Sequence, residues 1–325
     1  MVSAKMRLRY SATFFGTALL ACAGFLAFSC AERDLDAPFP SYNAPLAHGA
    51  SGPFILFGDS RPTLAAEFWR KRYDRERLLV IEALSAENPA FTHNPGHLVA
   101  HGSHPGDWRA FYEENRPIFS RRIPYYAGLG NHEYYGDNER ALANYFRFFP
   151  HLEGRKWYDL RYPPVLLIVL DSNFADLAPG EAARQDEWLA RTLAAAEADP
   201  TVRHILVTCH HPPYTNSVVH SDEREVQERF VRRLTPKVKA FISGHVHSYE
   251  RFVRDGVQFV VSGGGGAPLT PVRVDRPRHR DEFRGPAYRG FHYLRLRVED
   301  GRLRADVVML QSDGLWKRVD GFECP

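Results

Sequence analysis

Short apolar stretches alternate with helical stretches from residue 53 onward, and this alternation leaves few fold classes open to the chain. Each apolar stretch is short and is followed closely by a Gly, Asp or His, a pattern typical of buried strands. The predicted strands cover 53–57, 125–129, 165–170, 204–208 and 238–243, and the predicted helices cover 64–84, 107–118, 181–199 and 222–234. Strands that alternate with helices predict an α/β layered domain.

The C-terminal part has a different pattern, which predicts antiparallel strands. Apolar and charged residues alternate over 291–298, and a second apolar run covers 302–310, so each strand is expected to bury one face. Between them, Asp300-Gly301 is typical of a tight hairpin turn. The preceding segment 267–290, rich in Pro, Arg and His, predicts a long exposed loop.

Composition and glycine spacing argue against two common functions. Four glycines at 263–266 lack the GxGxxG spacing and no Lys-Ser pair follows them, so a nucleotide-binding loop is not predicted. The 325 residues are 44% hydrophobic and carry a net charge of +3 without a lysine-rich tail, which gives no specific indication of a nucleic-acid partner. This length fits one large globular domain or two small ones.

The N-terminus has the pattern of a targeting segment. Three basic residues precede an apolar run over 10–28, which predicts a secretory signal within residues 1–30 or an uncleaved anchor. Cys30 follows the apolar run at a position that suggests a lipoprotein cleavage site, with Cys22 as the alternative. Residues 31–50 predict a flexible tether, and the folded domain is expected to cover 51–325. We therefore expect an exported protein of the periplasm or cell envelope, with membrane attachment through a lipid at Cys30 as one form.

Polar side chains with metal-ligating atoms follow several predicted strands. The strand over 238–243 ends in Gly-His-Val-His, and residues two apart in extended backbone point the same way, so both imidazoles can face one point. Three other strands end in similar residues. The full set of candidate ligands is Asp59, Asn131, His210, His245 and His247. Strand ends of an α/β sheet converge on a crevice, and one carboxylate, one amide and three imidazoles suit a divalent transition metal. Any single member could instead be a turn residue or a surface histidine.

These motifs together resemble those of the calcineurin-like metallophosphoesterases. The resemblance covers residues 53 to 310, with the motifs in the right order, and the segment from Gly244 to Arg251 resembles the purple acid phosphatase branch. The motifs that carry it are Gly58-Asp59, Gly130-Asn131-His132-Glu133, His210-x-Pro212-x-Tyr214 and Gly244-His245-Val246-His247. The family implies a four-layer α/β/β/α sandwich of two mixed sheets, with two metal ions between the sheets.

The resemblance also implies a role for each matching residue. Asn131, His210 and His245 would hold one metal, Asp59 and His247 would hold the other, and His132 would act on the substrate. The implied activity is hydrolysis of phosphate mono- or diesters by metal-activated water, with one or two divalent ions such as Mn, Fe or Zn as cofactors. A phosphorylated small molecule or ester would be the substrate.

The first metal-binding motif departs from the family pattern. The family has Asp-x-His, whereas this chain has Asp59-Ser60-Arg61. Because a guanidinium has no lone pair for a metal, Arg61 is predicted to bind a phosphate oxygen instead. The purple acid phosphatase branch supplies a tyrosine at the position of Ala100, so an iron–tyrosinate is not expected here.

The second departure concerns the ligand shared by the two metals. The family's bridging aspartate corresponds to His97, and a neutral imidazole has one lone pair and no charge. Two interpretations stay open: His97 is a terminal ligand, or it marks a weakened site. His93, His101 and His104 lie nearby and could assist, or they could be surface loop histidines, and Asp107 could be a displaced bridging carboxylate.

Three functional hypotheses follow. The first is an exported phosphoesterase in which His132 stabilises the phosphoryl charge or protonates the leaving group, Arg61 offsets charge, and Tyr214 binds substrate. The second is a degenerate member that binds metal or phosphate ligands with little turnover, and the third is a structural envelope protein on the same scaffold. Tyr134 and Tyr135 could also line the cleft, although tyrosines near sheet edges commonly serve as packing residues.

Overall fold

The computed structural model describes residues 39–324. The predicted signal or anchor in 1–30, with Cys22 and Cys30, lies outside these residues. The described strands are β1 (Phe54–Leu56), β2 (Thr92–Asn94), β3 (Tyr125–Ala127), β4 (Tyr158–Tyr162), β5 (Val165–Val169), β6 (His204–Cys209), β7 (Val238–Ser243), β8 (Tyr249–Arg254), β9 (Val257–Ser262), β10 (His292–Glu299), β11 (Arg302–Leu310) and β12 (Trp316–Cys324).

Helices connect these strands. The α-helices are α1 (Asp74–Ala86), α2 (Pro105–Glu114), α3 (Arg116–Ser120), α4 (Asn131–Tyr134), α5 (Asn138–Phe148), α6 (Glu181–Ala198) and α7 (Arg224–Arg229). Short 3₁₀ turns cover Ala65–Glu67, Pro150–Leu152, Phe174–Asp176 and Val231–Arg233. The helix predicted over 64–84 is therefore a 3₁₀ turn followed by α1, with the exposed segment 68–73 between them.

The strands form two six-stranded mixed sheets. The first has the order β12-β11-β10-β1-β2-β3, in which β1, β2 and β3 are parallel and the other neighbours are antiparallel. The second has the order β4-β5-β6-β7-β9-β8, with β5, β6, β7 and β9 parallel. The predicted hairpin at Asp300-Gly301 joins β10 to β11.

Alternation along β5 shows how the sheets are layered. Leu167 and Val169 lie in the large core shared by both sheets, whereas Leu166 and Ile168 lie in a second core with Leu189 of α6. Successive side chains of a strand point to opposite faces, so the second sheet packs on the first with one face and on helices with the other. This confirms the predicted α/β fold, a four-layer sandwich of two mixed sheets.

The chain before β1 differs from the predicted tether over residues 39–46. Phe39 is buried and its ring lies 6.3 Å from the Trp108 ring and 6.2 Å from the Phe148 ring, centroid to centroid. The Tyr42 hydroxyl donates to the Ile123 carbonyl at 2.6 Å. Aromatic side chains spaced along a proline-rich stretch carry no period-2 or 3.6 pattern, so this packing cannot be predicted from hydrophobic periodicity.

We predict that Phe39→Ala lowers the free energy of unfolding by about 3 kcal/mol, because it leaves a cavity beside Trp108 and Phe148. Urea unfolding followed by tryptophan fluorescence measures this change. Ser41→Ala, at an exposed position two residues away, is the control and should stay within about 0.5 kcal/mol of the parent. A Phe39→Ala variant as stable as Ser41→Ala would show that this segment does not contribute to the fold.

The segment predicted as an exposed loop, 267–290, is irregular but partly buried. Ala267, Thr270, Val272 and Arg289 are buried among its residues. The Thr270 amide donates to the His247 carbonyl at 2.9 Å, so the segment is attached to the strand-end region of the second sheet. Among residues 39–324, no helix is long and apolar enough to cross a bilayer.

Candidate metal centre

The predicted ligands meet at the carboxyl ends of parallel strands from both sheets. Asp59, His97 and Asn131 follow β1, β2 and β3 of the first sheet, and His210 and the His245/His247 pair follow β6 and β7 of the second. We call Asn131, His210 and His245 the first donor group, and Asp59 and His247 the second donor group. Parallel strands place these side chains on one edge, where ligands bind in α/β proteins.

His97 lies between the two donor groups. Its Nδ1 is 2.6 Å from Asp59 Oδ1 and 3.1 Å from His247 Nε2, and its Nε2 is 2.7 Å from Asn131 Oδ1. A ligand atom from each of His97, His210 and His245 lies within 4.8 Å of the others, and the same holds for His97, Asp59 and His247. The side chain therefore occupies the position shared by both groups, with one nitrogen facing each.

Several ligand atoms at this site are buried without a hydrogen-bond partner. Among the described residues, both ring nitrogens of His210, Nδ1 of His245 and Oδ2 of Asp59 have none. Each unpartnered buried polar atom costs about 1–3 kcal/mol, and bound cations would take the Asp59 oxygen and the one lone-pair nitrogen that each neutral imidazole offers. This donor set therefore fits a divalent metal.

Burial sets the protonation states that metal binding requires. Burial and neighbouring imidazoles hold the pKa values of His210 and His245 well below their usual range, so both rings are neutral and have a free lone pair. Burial also raises the pKa of Asp59 well above its usual range, against a backbone hydrogen bond from His245. A carboxylate in such a place is stabilised by a cation beside it.

Backbone strain is concentrated at the same residues. Asp59, His97 and His245 have φ angles of 61°, 60° and 67°, in the left-handed region that non-glycine residues rarely adopt. Such conformations cost about 1–3 kcal/mol each and are typical of functional sites. Gly96 allows this close packing, because a Cβ there would lie 2.5 Å from the Gly130 nitrogen and 2.8 Å from His210 Nδ1.

Backbone carbonyls orient two of the imidazoles. His247 Nδ1 donates to the Pro268 carbonyl at 2.7 Å, which leaves Nε2 with its lone pair facing the second donor group. His132 Nδ1 donates to the Ala100 carbonyl at 2.7 Å. Burial, with Arg61 nearby, lowers the pKa of His132 to about 3, so its Nε2 also has a lone pair in the protein without substrate.

Glu133 is a supporting residue to which sequence reasoning assigned no role. Its Oε2 accepts from the Gly130 and His97 amides at 2.8 and 2.9 Å, and its Oε1 accepts from Leu98 and Val99 at 2.7 and 3.3 Å. Burial raises the pKa of Glu133 to about 7 against these four donors. The carboxylate thereby ties the His97 loop to the Asn131 loop.

We predict that Glu133→Gln destabilises the protein by about 2–5 kcal/mol, because the side-chain NH₂ would face two backbone N–H donors that lose their acceptor. Chemical denaturation of the metal-free protein measures the loss, and metal affinity should fall with it since His97 and Asn131 lose their common support. Glu139→Gln, on the exposed face of α5, is the control. Equal stability of the two variants would contradict this role for Glu133.

Arg61 does not present an open guanidinium. It donates to Glu67 through Nη1 at 2.8 Å and Nη2 at 2.9 Å, and Nη1 also contacts the Pro62 carbonyl at 2.9 Å. Burial alone would raise the pKa of Glu67, but hydrogen bonds from Arg61 and the Leu64 amide lower it to about 2. The predicted phosphate contact would have to share this guanidinium with an ionised carboxylate.

Of the three tyrosines considered as cleft residues, Tyr135 lies beside the metal centre, whereas Tyr134 and Tyr214 lie away from it. The Tyr135 hydroxyl accepts from Asn131 Nδ2 at 2.8 Å, and its ring centroid lies 4.2 Å from that of His132. Tyr134 is buried and donates to Asp171 at 2.5 Å. Tyr214, predicted to bind substrate, instead packs against Phe259 and under the Arg254 guanidinium. Tyr214 is the second residue after Pro212, and by then the chain has turned away from the donor groups.

The other histidines near His97 lie outside both donor groups. His93 is buried in β2, where Nδ1 contacts the Tyr126 carbonyl at 3.0 Å and Nε2 contacts Thr208 Oγ1 at 2.9 Å, so it links the two sheets. His101, His104 and Asp107 form a separate, partly exposed group at the start of α2. Asp107 is thus not a displaced bridging carboxylate.

Comparison with known proteins agrees with this architecture. A model of the calcineurin-like phosphoesterase family matches residues 53–249. The chain is 28% identical over 209 residues to mouse tartrate-resistant acid phosphatase type 5, covering 54% of this chain and 60% of the relative. It is 26% identical over 229 residues to purple acid phosphatase 22 of Arabidopsis thaliana, covering 64% and 51%. The structure of purple acid phosphatase PPD1 from yellow lupin superposes with a TM-score of 0.64 at 18% identity, covering 84% and 54%.

The chain therefore belongs to the calcineurin-like phosphoesterase family, and the predicted resemblance to the purple acid phosphatase-like branch is confirmed. It spans between 51% and 60% of the length of these three proteins. The likeness to the lupin structure concerns the fold.

Proposed function

We propose that this protein is an exported, metal-dependent hydrolase of phosphate mono- or diesters. The observation that carries the proposal is the convergence of six potential ligands from five strand ends. Four of their buried ligand atoms have no hydrogen-bond partner within residues 39–324. Family membership and the phosphatase relatives support the reaction class. The substrate would be a phosphorylated small molecule or ester.

The first donor group would hold the principal metal, and Asp59 with His247 would hold the second where one is present. A bound divalent ion would supply a Lewis acid for the phosphoryl oxygens and lower the pKa of a water molecule. His97 would serve one donor group at a time while neutral, since it has a single lone pair. Four imidazoles against one carboxylate favour Zn or Fe over Mn among the candidate ions.

The chain's own residues would orient the ester and handle its charge. His132 and Tyr135 lie together beside Asn131. Arg61 lies beside the second donor group, where burial first and the Arg61 charge second lower the pKa of His247. Arg61 would offset phosphoryl charge. His132 would donate to the leaving oxygen only after it takes up a second proton, and a bound phosphate dianion favours this by raising the pKa of His132.

A second candidate function is binding of metal or phosphate ligands with little turnover. The position of His97, between two groups that a carboxylate would join, favours it. Elemental analysis and turnover of the purified full chain separate the two. The assay would use p-nitrophenyl phosphate and its bis ester after loading with Zn, Fe or Mn. Metal without turnover would support the second candidate, and a chain that holds no metal after loading would overturn both.

Export is part of this proposal and is supported by the basic and apolar pattern of residues 1–30. Fractionation of cells that express the full chain tests it. Recovery of the intact chain, including those residues, from the cytoplasm would contradict export, and loss of membrane attachment in Cys30→Ser would support lipidation.

A further inference from the structure

A cleft of about 820 Å³ opens on the surface beside the metal centre. Three of its lining residues contact the centre from different sides. Glu67 binds Arg61, the His220 ring lies 4.4 Å from the His245 ring, and the Pro268 carbonyl accepts from His247. A phosphoryl group at the centre would therefore place its ester substituent at the mouth of this cleft.

The walls of the cleft carry exposed apolar side chains. Trp69 is 71% exposed, Tyr288 60% and Val219 68%, and Val218 lies beside them. These four are among only ten large apolar side chains that are exposed in residues 39–324. Apolar surface gathered in this way around a concave site marks a binding region, and Trp and Tyr offer flat faces on which an aromatic ring can stack.

The charge of the cleft is positive. Arg70 and Lys71 line it together with Glu67, and Arg61 lies behind Glu67. Glu67 is ionised, but it is the acceptor for both Arg61 and Arg70, so positive charge remains in excess. Such a surface attracts an anionic ligand.

The walls are held by hydrogen bonds to backbone carbonyls, so the cleft is formed before a ligand binds. Arg70 Nη2 donates to the Pro268 and Leu269 carbonyls at 2.6 and 3.2 Å. On the opposite wall, the Val218 amide donates to the Pro271 carbonyl at 3.0 Å, and Arg278 donates to the His220 carbonyl at 2.8 Å. A preformed concave site suits a small ligand better than a flat membrane surface.

We propose that this cleft binds the leaving group of the substrate, and that this group is an aromatic ring carrying its own negative charge, as in a nucleotide with a second phosphate. The inference rests on the proposed function for the position of the scissile phosphate. Stacking on Trp69 and Tyr288 would select the ring and Lys71 would contact the second charge, while Arg70, which is bound to Glu67 and to the Pro268 and Leu269 carbonyls, would add positive charge to the cleft.

The test compares two phosphomonoesters, adenosine 3′,5′-bisphosphate and glycerol 2-phosphate, on the metal-loaded full chain. We expect Trp69→Ala to lower kcat/KM for the nucleotide at least about fivefold, the low end of what loss of one base–aromatic stack costs. The value for glycerol 2-phosphate should change less than about twofold, and Trp69→Phe should restore most of the loss. Leu315→Ala, at an exposed apolar residue outside the cleft, is the matched control.

Calorimetric binding of the nucleotide to parent and Trp69→Ala separates this inference from the proposed function. If Trp69→Ala binds the nucleotide more weakly than the parent, the cleft is supported as its binding site. This holds even if neither ester is hydrolysed, and in that case only the proposed function fails. No binding to the parent, or equal losses for both esters, overturns the inference. Sedimentation with anionic phosphatidylserine vesicles that is lost in Trp69→Ala, with both kcat/KM values unchanged, would also overturn it and assign the patch to a membrane surface.

Discussion

His210→Ala is expected to remove the bound metal and to abolish phosphoester hydrolysis. Its imidazole is fully buried and neither ring nitrogen has a protein partner among the described residues, so its one lone-pair nitrogen is available to a metal. Loss of a supporting residue behind a ligand costs about 10- to 100-fold in metal affinity, and loss of a ligand should cost more. Inductively coupled plasma analysis and p-nitrophenyl phosphate turnover measure the two effects.

Thermal unfolding provides a readout that does not depend on turnover. A ligand that binds only the folded state raises its stability by RT ln(1 + [L]/Kd), so added Zn²⁺ should raise the Tm of the parent and leave His210→Ala nearly unchanged. The control is His151→Ala, a half-buried histidine whose Nε2 contacts the Tyr125 carbonyl at 3.0 Å. It should lose some stability and keep the Zn²⁺ response. Full metal content and full activity in His210→Ala would show that the ligand assignment is wrong.

The convergence of the two donor groups could be predicted from the sequence because each of their residues lies within four residues of the end of a parallel strand. β6 and β7 are mostly apolar and mostly buried. His210 follows the last residue of β6 at once and His245 follows β7 after Gly244, so the pattern identified both the element and the ligand. The strand before His97 was not recognised. β2 consists of Thr92, His93 and Asn94, which are polar although buried, and hydrophobic periodicity cannot detect such a strand.

Contacts between distant residues account for what the sequence did not reveal. The bidentate pair of Arg61 with Glu67 depends on a 3₁₀ turn within a segment predicted to be one continuous helix. The cleft needs Trp69, Val219 and Tyr288 to meet, and these lie in three loops far apart in the chain. Tertiary packing likewise sets the direction of the loop that follows His210. In this loop Tyr214 packs against Phe259 and Arg254 and lies away from the metal centre.

The second large effect is expected from His97→Asp, which should raise metal occupancy of the second donor group and increase turnover. In the native chain, one neutral imidazole faces Asp59 with Nδ1 and Asn131 with Nε2, and its single lone pair can serve only one metal. We therefore expect native protein to hold nearer one metal per chain than two. Aspartate adds a charge worth about 1–4 kcal/mol at 4 Å, so second-site affinity should rise about fivefold or more. Its short side chain also tolerates the positive φ at this position.

His97→Asn is the matched control, because it has nearly the shape and backbone tolerance of aspartate without the charge. Metal titration by calorimetry, which does not depend on turnover, should show a second binding event in His97→Asp that His97→Asn lacks. Two tight metals in the native protein, together with slower turnover of His97→Asp, would show that His97 is a working ligand in a rearranged site and would remove the argument for a degenerate enzyme.

The pH dependence of metal occupancy provides a further check. An imidazole must be neutral to bind metal, and burial with nearby imidazoles holds the pKa of His97 well below its usual range. Occupancy that depends on His97 should therefore persist as the pH falls through about 6.5, the unperturbed histidine value, and decline only at lower pH.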